Sequence, residues 1–239
     1  MDLSNRQTKI IKCIVEEYTE TAEPVGSDTL DKKYRLGISP ATIRNEMAAL
    51  TKNGYLAQPH TSAGRIPTPT AIKFYVNQLM KEEDLSVAEE VAVKERIWDA
   101  RDEYGKLLRE VTQVLSERTG MLTVAATNDR LYHSGYARIL DLPEFFDIHT
   151  TRQVLGLIEE GQRLESIFNR AQGEDPIHIL LGDELGDELF EPIGIVFTEF
   201  STGPQKGKLA VIGPSRLNYA HTIPMLRYMA QLIGEVGRG

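Results

Sequence analysis

The chain has one cysteine and one tryptophan in 239 residues. A lone thiol forms no intrachain disulfide. Cys13 has no histidine close to it in sequence and reads as a small filler on a helix, not as a nucleophile. No apolar run approaches the ~18 residues of a membrane span. The opening Met-Asp-Leu-Ser-Asn-Arg-Gln lacks the apolar centre of a secretory signal. A reducing, cytoplasmic setting is therefore expected. His60, His133, His149, His178 and His221 are scattered, with no two in one helical turn and none beside the cysteine. That is no metal-site spacing. The glycines match neither a phosphate-binding loop nor a dinucleotide fingerprint. With no nucleophile–base set, no catalysis, metal or cofactor is expected.

Acids are also scarce in one place. Between Lys32 and Met80 the only carboxylate is Glu46, against Lys32, Lys33, Arg35, Arg44, Lys52, Arg65 and Lys73, in a chain of net charge −8. A basic island in an acidic chain is the footprint of a phosphate-backbone contact. Hydrophobic content of 41% and charged content of 26% are ordinary for a globular protein, and the length suits about two domains.

The island coincides with a helix and a hairpin. Ser39 is a good N-cap and Pro40 falls at the first helical position. Ile38 and Ile43 form a hydrophobic staple, and Ile43, Met47 and Leu50 make one apolar stripe. The opposite face carries Thr42, Arg44, Asn45, Ala49 and Lys52. Asn53-Gly54 stops the helix. Tyr55 to Gln58 is a candidate strand, 59–64 its turn, and Arg65-Ile66 the return. Upstream, Ser4 and Gln7 make a capping box for a helix buried through Ile10, Ile11, Ile14, Val15 and Tyr18. Ser27 caps a short helix with Leu30 and Tyr34 inward, and Leu36-Gly37-Ile38 turns into the helix at Ser39. Two short helices joined by a glycine turn form a helix-turn-helix, whose second helix reads the major groove. Thr68-Pro69 starts a further helix with Ile72, Tyr75, Val76 and Leu79 on its core face. Residues 1–80 thus read as a winged helix-turn-helix domain. Its expected DNA contacts are Ser39, Thr42, Arg44, Asn45 and Lys52 on the helix and His60, Thr61, Ser62 and Arg65 on the wing. Arg44 and Asn45 suit base edges, and Arg65 suits phosphate or the minor groove.

Residues 81–119 read as a charged linker and then one long helix, about 93 to 119, with Ile97, Leu107, Leu108, Val111, Val114 and Leu115 at spacings of three and four. Trp98 reads as a packing residue, with a place at a subunit contact as the lesser alternative. Residues 120–239 read as an α/β domain with mainly antiparallel strands. The expected strands are 121–126, 136–140, 177–181, 193–200 and 208–212, with a loop at Gly203-Pro204-Gln205-Lys206-Gly207. Helices are expected over 151–170 and 220–236, with a short one opening at Leu142-Pro143. His178 reads as a core histidine, and Asp183-Glu184 and Asp187-Glu188 as solvated loop charges. Gly213-Pro214-Ser215-Arg216 has two readings, an anion site ahead of the last helix and, preferred, a strand-ending turn with Arg216 in a salt bridge. The whole is an α+β chain.

Three N-terminal stretches, 23–27 (Glu-Pro-Val-Gly-Ser), 39–47 (Ser-Pro-Ala-Thr-Ile-Arg-Asn-Glu-Met) and 58–68 (Gln-Pro-His-Thr-Ser-Ala-Gly-Arg-Ile-Pro-Thr), resemble those of the HrcA family of bacterial heat-inducible transcription repressors. Leu142-Pro143-Glu144-Phe145 and the run from Gly207 to Tyr219 resemble the same family's GAF-like effector domain. The family carries an inserted dimerisation domain where this chain has only a turn at Asn128-Asp129-Arg130. The resemblance implies repression of chaperone operons through an inverted-repeat operator called CIRCE, release on heat stress, and modulation by the chaperonin. An inverted repeat implies a homodimer. Two surfaces for it are open, the stripe Ile97, Leu108, Val111, Leu115 and the face of the effector sheet; the stripe is the favoured one. The alternative function is a winged-helix regulator whose GAF-like domain senses a small molecule.

Overall fold

The computed structural model describes residues 3–203 and 205–236. The chain divides into two units, one ending at Lys81 and one beginning at Glu82.

The first unit opens with α1 (Asn5–Thr21). The Ser4 hydroxyl accepts from the Gln7 amide at 3.3 Å, and the Ser4 amide donates to the Gln7 side chain at 3.1 Å. Next come α2 (Ser27–Tyr34) and α3 (Pro40–Lys52). The cap of α2 is Gly26, one residue before the expected Ser27; the Ser27 hydroxyl accepts from Arg44 instead, at 3.0 Å. Ser39 caps α3 as expected, accepting from the Thr42 amide at 3.2 Å. Gly54 then takes the left-handed conformation, φ +79°. The short strands β1 (Leu56–Ala57) and β2 (Ile66–Pro67) pair antiparallel, and α4 (Pro69–Gln78) follows, capped by Thr68. Val25 bridges Arg65, so the root of the hairpin has a third strand position. Ile10, Ile11, Ile14, Leu30, Ile43, Leu50, Leu56 and Ile72 fill the core. Cys13 is buried among them, and burial pushes its thiol up to about 11.

In the second unit the expected long helix is two. The first, α5 (Val87–Trp98), starts inside the expected linker at a capping box between Ser86 and Glu89, and α6 (Tyr104–Thr119) follows a break at 99–103. Arg96 Nη1 lies 2.6 Å from Glu117 and its Nε donates to Glu110 at 2.8 Å. In one continuous helix residues 96 and 117 would stand ~31 Å apart, so the two segments fold back on each other. Ile97, Leu108, Val111 and Leu115, the favoured dimer stripe, are all fully buried within this unit. That stripe is core, and it cannot serve as a subunit contact. Trp98, expected to pack, is 47% exposed.

Gly120 ends α6 at φ +71°. β3 (Leu122–Thr127) and β4 (Leu131–Ser134) form a hairpin, followed by α7 (Tyr136–Ile139). The strand expected over 136–140 is thus a short helix, and the strand is the segment before it. Gly135, φ +101°, makes the switch, because a Cβ there would sit 2.2 Å from the Ser116 hydroxyl and 2.3 Å from the Met121 carbonyl. The helix expected over 151–170 is also two, α8 (Ile148–Glu159) and α9 (Gly161–Phe168), broken at Glu160 with ψ 73°. β5 (Ile177–Leu181), β6 (Ile193–Thr202), β7 (Gln205–Pro214) and α10 (Tyr219–Val236) complete the unit. Lys206 and Gly207, expected in a loop, pair within β7, and Pro204 lies outside the described residues.

The sheet order is β4-β3-β7-β6-β5, with every neighbour antiparallel. Leu122, Val124, Ile193, Ile195, Phe197, Ala210 and Ile212 cluster with the apolar faces of α8 and α9. The alternate residues Thr123, Ala125, Val196, Leu209 and Val211 are equally buried, on the face that α6 and α10 cover. A sheet covered on both faces reads as unbroken apolar runs, as 193–197 and 209–212 do.

The paired charges of this unit are structural. Arg216 donates to Glu144 through Nε at 2.6 Å and Nη2 at 3.1 Å, with both side chains about nine-tenths buried. This joins two of the family-like motifs, as the salt-bridge reading of Arg216 anticipated. Asp187 and Glu184 are more than solvated charges: each accepts from a backbone amide, of Leu189 at 3.0 Å and of Leu181 at 2.9 Å. His178 is only half-buried on the edge strand β5, stacked on Phe197 at 4.9 Å.

Candidate nucleic-acid interface

At 100° per residue, Ala41, Arg44, Asn45, Ala48 and Lys52 fall within one arc of α3 about 100° wide, and all five are exposed. The arc contains no carboxylate. Glu46, the one acid of α3, turns to α1, where Arg6 approaches at 3.3 Å and the Gln7 amide donates at 3.1 Å. Ala41 and Ala48 lie in the middle of the arc. Their short side chains leave a low floor, with Arg44, Asn45 and Lys52 standing around it.

Arg44 is held in part. Its Nε donates to Ser27 at 3.0 Å and Nη2 lies 3.5 Å from Asp28, while the side chain stays 65% exposed. Asn45 and Lys52 are exposed. Thr42 is half-buried at the edge of the arc, its hydroxyl 3.0 Å from that of Ser39. Ser39 is committed to capping, so it shapes the start of the helix. Of the flanking cations, Lys33 is paired with Glu17 at 2.6 Å and Glu20 at 3.0 Å, whereas Lys32 and Arg35 are exposed. The Lys33 ammonium is the main cause that holds the Glu17 carboxyl below its ordinary range.

The wing is preorganised by its own polar groups. Gln58 Nε2 donates to the carbonyls of Thr61 at 2.9 Å and Ala63 at 3.1 Å, and His60 Nδ1 lies 3.1 Å from the Ser62 hydroxyl. His60, Thr61 and Ser62 are exposed at the tip. Gly64 packs where a Cβ would come within 2.4 Å of the Val25 carbonyl oxygen. That close approach explains why 23–27 and 58–68 occur together. Val25 and Arg65 exchange two backbone hydrogen bonds, each 2.9 Å, and only glycine fits between the strands next to them. Arg65 points inward, its Nε donating to Thr51 at 3.0 Å and Nη1 to the Gly64 carbonyl at 3.3 Å.

The residues expected on the helix therefore share one face apart from Ser39 and Thr42 at its start, and the three wing-tip residues are exposed together. Arg65 is the exception. Sequence reasoning missed Ala41, Ala48 and Gln58. The alanines were visible on a helical wheel as gaps between polar residues. Gln58 gave no such signal, since its role depends on the turn it closes.

Charge separates the two units. Residues 1–81 carry 11 Lys and Arg against 8 Asp and Glu, and residues 82–239 carry 16 against 27. Among the described residues no group of histidine, cysteine and carboxylate side chains is placed to hold a metal, and no helix is long and apolar enough to cross a membrane.

A family model described as the HrcA protein C terminal domain matches residues 67–223. The heat-inducible transcription repressor HrcA of Pelotomaculum thermopropionicum is 26% identical, over 99% of this chain and 97% of that one. Its namesake in Desulforudis audaxviator is 28% identical over 99% and 98%. That of Acetivibrio thermocellus is 45% identical over 54% of this chain and 37% of its own. A crystal structure titled as a hypothetical protein superposes with a TM-score of 0.77 at 18% identity, covering 99% of both chains; it shows the fold. The alignments with the first two relatives run over 338 positions against the 239 residues here, and only residues 128–130 join β3 to β4. The chain belongs to the HrcA family, as a shortened member of it.

Proposed function

We propose that this protein is a DNA-binding repressor of heat-shock operons, acting in the cytoplasm as a homodimer on an inverted-repeat operator of the CIRCE type and released on heat stress. The observation that carries the reading is the acid-free arc of α3 with its low alanine floor, next to a preorganised polar wing. Arg44 and Asn45 read base edges, arginine toward guanine and asparagine toward adenine. Thr42 and Lys52 contact phosphate, and His60, Thr61 and Ser62 follow the backbone from the wing. Arg65 acts by holding the wing against α3. One such unit offers few phosphate contacts, and two related by a two-fold axis match an inverted repeat. Release by heat fits a marginally stable fold whose competent fraction falls steeply with temperature, and a chaperonin that restores that fraction would act as modulator.

The test is binding to a CIRCE-type duplex and to random duplex at one fixed salt concentration. Arg44→Ala and Asn45→Ala are expected to cost about 1–3 kcal/mol each on the operator and little on random DNA. Equal losses on both duplexes would reduce these side chains to backbone contacts, and no preference for the operator by the parent chain would overturn the reading.

A further inference from the structure

With the expected dimer stripe buried, α5 shows a different apolar surface. Val87 is 76% exposed, Val91 51% and Trp98 47%. At 100° per residue they fall within about 40° of one another on the helix. Trp98 is not loose. Arg101 lies over its ring at 5.0 Å and donates to its carbonyl at 2.9 Å, which holds the indole in place at the surface. Lys94 flanks the stripe on one side, with Glu90 beyond it, and Glu95 and the small residues Ala88 and Ala92 lie on the other.

We infer that this face of α5 is the contact with a second copy of the chain, the two helices running antiparallel about a two-fold axis near residue 92. This deepens the homodimer reading and rests on it. Charge argues for a second copy as the partner, since the flank that carries Glu90 and Lys94 is complementary to itself when reversed. In the antiparallel arrangement Val87 of one copy meets Trp98 of the other, and the two Val91 side chains lie near the axis. Lys94 of each copy comes beside Glu90 of the other, so two opposite-charge pairs form. A parallel two-fold pair would set this flank against the opposite one, with Lys94 beside Glu95 and Glu90 beside Ala88 and Ala92; only the antiparallel arrangement pairs both charges of the flank.

Size sets the strength. A 12-residue helix is ~18 Å long and ~10 Å across, well short of the ~800 Å² per partner of a standard stable interface. The free protein therefore dimerises weakly, and two half-sites on one duplex supply the effective concentration that completes the pair.

The experiment is sedimentation of the full chain over a micromolar range, alone and on a duplex with two half-sites. The variants are Val91→Glu, Lys94→Glu and the double exchange Glu90→Lys with Lys94→Glu. All three positions are exposed, and thermal melting checks that each variant folds. The parent chain is expected to dimerise, Val91→Glu and Lys94→Glu to weaken dimerisation at least tenfold, and the double exchange to restore most of it. In addition, Val91→Cys should link two copies by a disulfide under mild oxidation, whereas Ser166→Cys, exposed on α9, should not. A parent dimer as tight in Val91→Glu and Lys94→Glu as without them overturns this surface and leaves the homodimer standing. A parent chain that stays monomeric even on the duplex overturns both.

Discussion

The two units use charged residues in opposite ways. In the winged helix, Asn45, Lys52 and most of Arg44 face solvent, while Glu46 turns to Arg6 and Glu17 is paired with Lys33. In the effector unit the most deeply placed pair among the described residues, Arg216 with Glu144, ties the turn after β7 to the segment before α8. A motif that looks functional therefore means different things in the two halves. Around α3 it marks a helical arc that itself carries no carboxylate. Around Arg216 it marks a buried joint.

The largest effect should come from breaking that joint. Arg216→Ala or Glu144→Ala breaks a buried ion pair, which costs about 3–5 kcal/mol. Thermal unfolding with hydrogen exchange should show the effector unit destabilised and the amides of residues 3–81 unchanged. Replacing both residues with leucine should cost less than either single change, since no charge is then left stranded. If protection were lost equally in both units, they would not be separate in the sense drawn here.

Next in size is the wing root. Gly64→Ala puts a methyl 2.4 Å from the Val25 carbonyl oxygen, a backbone atom that cannot turn aside. Overpacking of this kind costs about 1–3 kcal/mol, and here it falls on the first unit. DNA binding should weaken on every sequence while the effector unit melts as before. Gly37→Ala is the contrast. It meets nothing within 4 Å, so only its φ of +73° is strained, and it should cost about 1 kcal/mol.

Much of this was legible in the sequence because it is local. The caps at Ser4, Ser39 and Thr68, the stripe Ile43-Met47-Leu50 and the antiparallel strands follow from neighbours a few residues apart. The failures are tertiary. Nothing between Asp99 and Glu103 announces a break, since the segment has neither proline nor glycine; the fold-back is fixed by Arg96 meeting Glu110 and Glu117. Tyr136 to Leu140 has a strand-like composition, but Gly135 closes against Ser116 and Met121 and turns the chain into a helix. Arg65 looked like a phosphate ligand, and Thr51, fourteen residues away, draws it inward. Of the residues expected to contact DNA, those on one face of α3 could be placed from the sequence, and the inward turn of Arg65, whose partner lies on another element, could not.

Acid should separate the units more gently. The Glu17 carboxyl is held below its ordinary range chiefly by Lys33, with Tyr34 donating to it at 3.0 Å. A lowered folded-state value contributes stability that is present above the unfolded value and is lost as pH falls through the folded one. The first unit should therefore lose stability as the pH drops below about 4.3, the unperturbed glutamate value. Glu17→Gln should remove part of that dependence and cost roughly 1 kcal/mol or less at neutral pH, because Lys33 is half exposed. Melting of the parent and the variant at pH 7 and pH 3.5 gives the answer. Equal acid sensitivity in the two would remove Glu17 from the account.

The smallest effect distinguishes a cation that touches DNA from one that shapes the protein. Lys52 is exposed on the reading arc, while Arg65 is committed to Thr51 and the wing carbonyls. A phosphate contact releases a counterion, so its loss makes the slope of log affinity against log salt shallower by about one. Lys52→Ala should do this with little change in thermal stability. Arg65→Ala should weaken binding on all sequences and loosen the wing, seen as faster exchange of the Val25 and Arg65 amides, with the slope almost unchanged. Arg65→Lys should not rescue the wing, since an ammonium cannot reach Thr51 and two carbonyls in the plane of a guanidinium. If Arg65→Ala shifted the slope by a full unit and left those amides protected, Arg65 would be a phosphate ligand after all, and the inward bonds would be only its resting place between encounters with DNA.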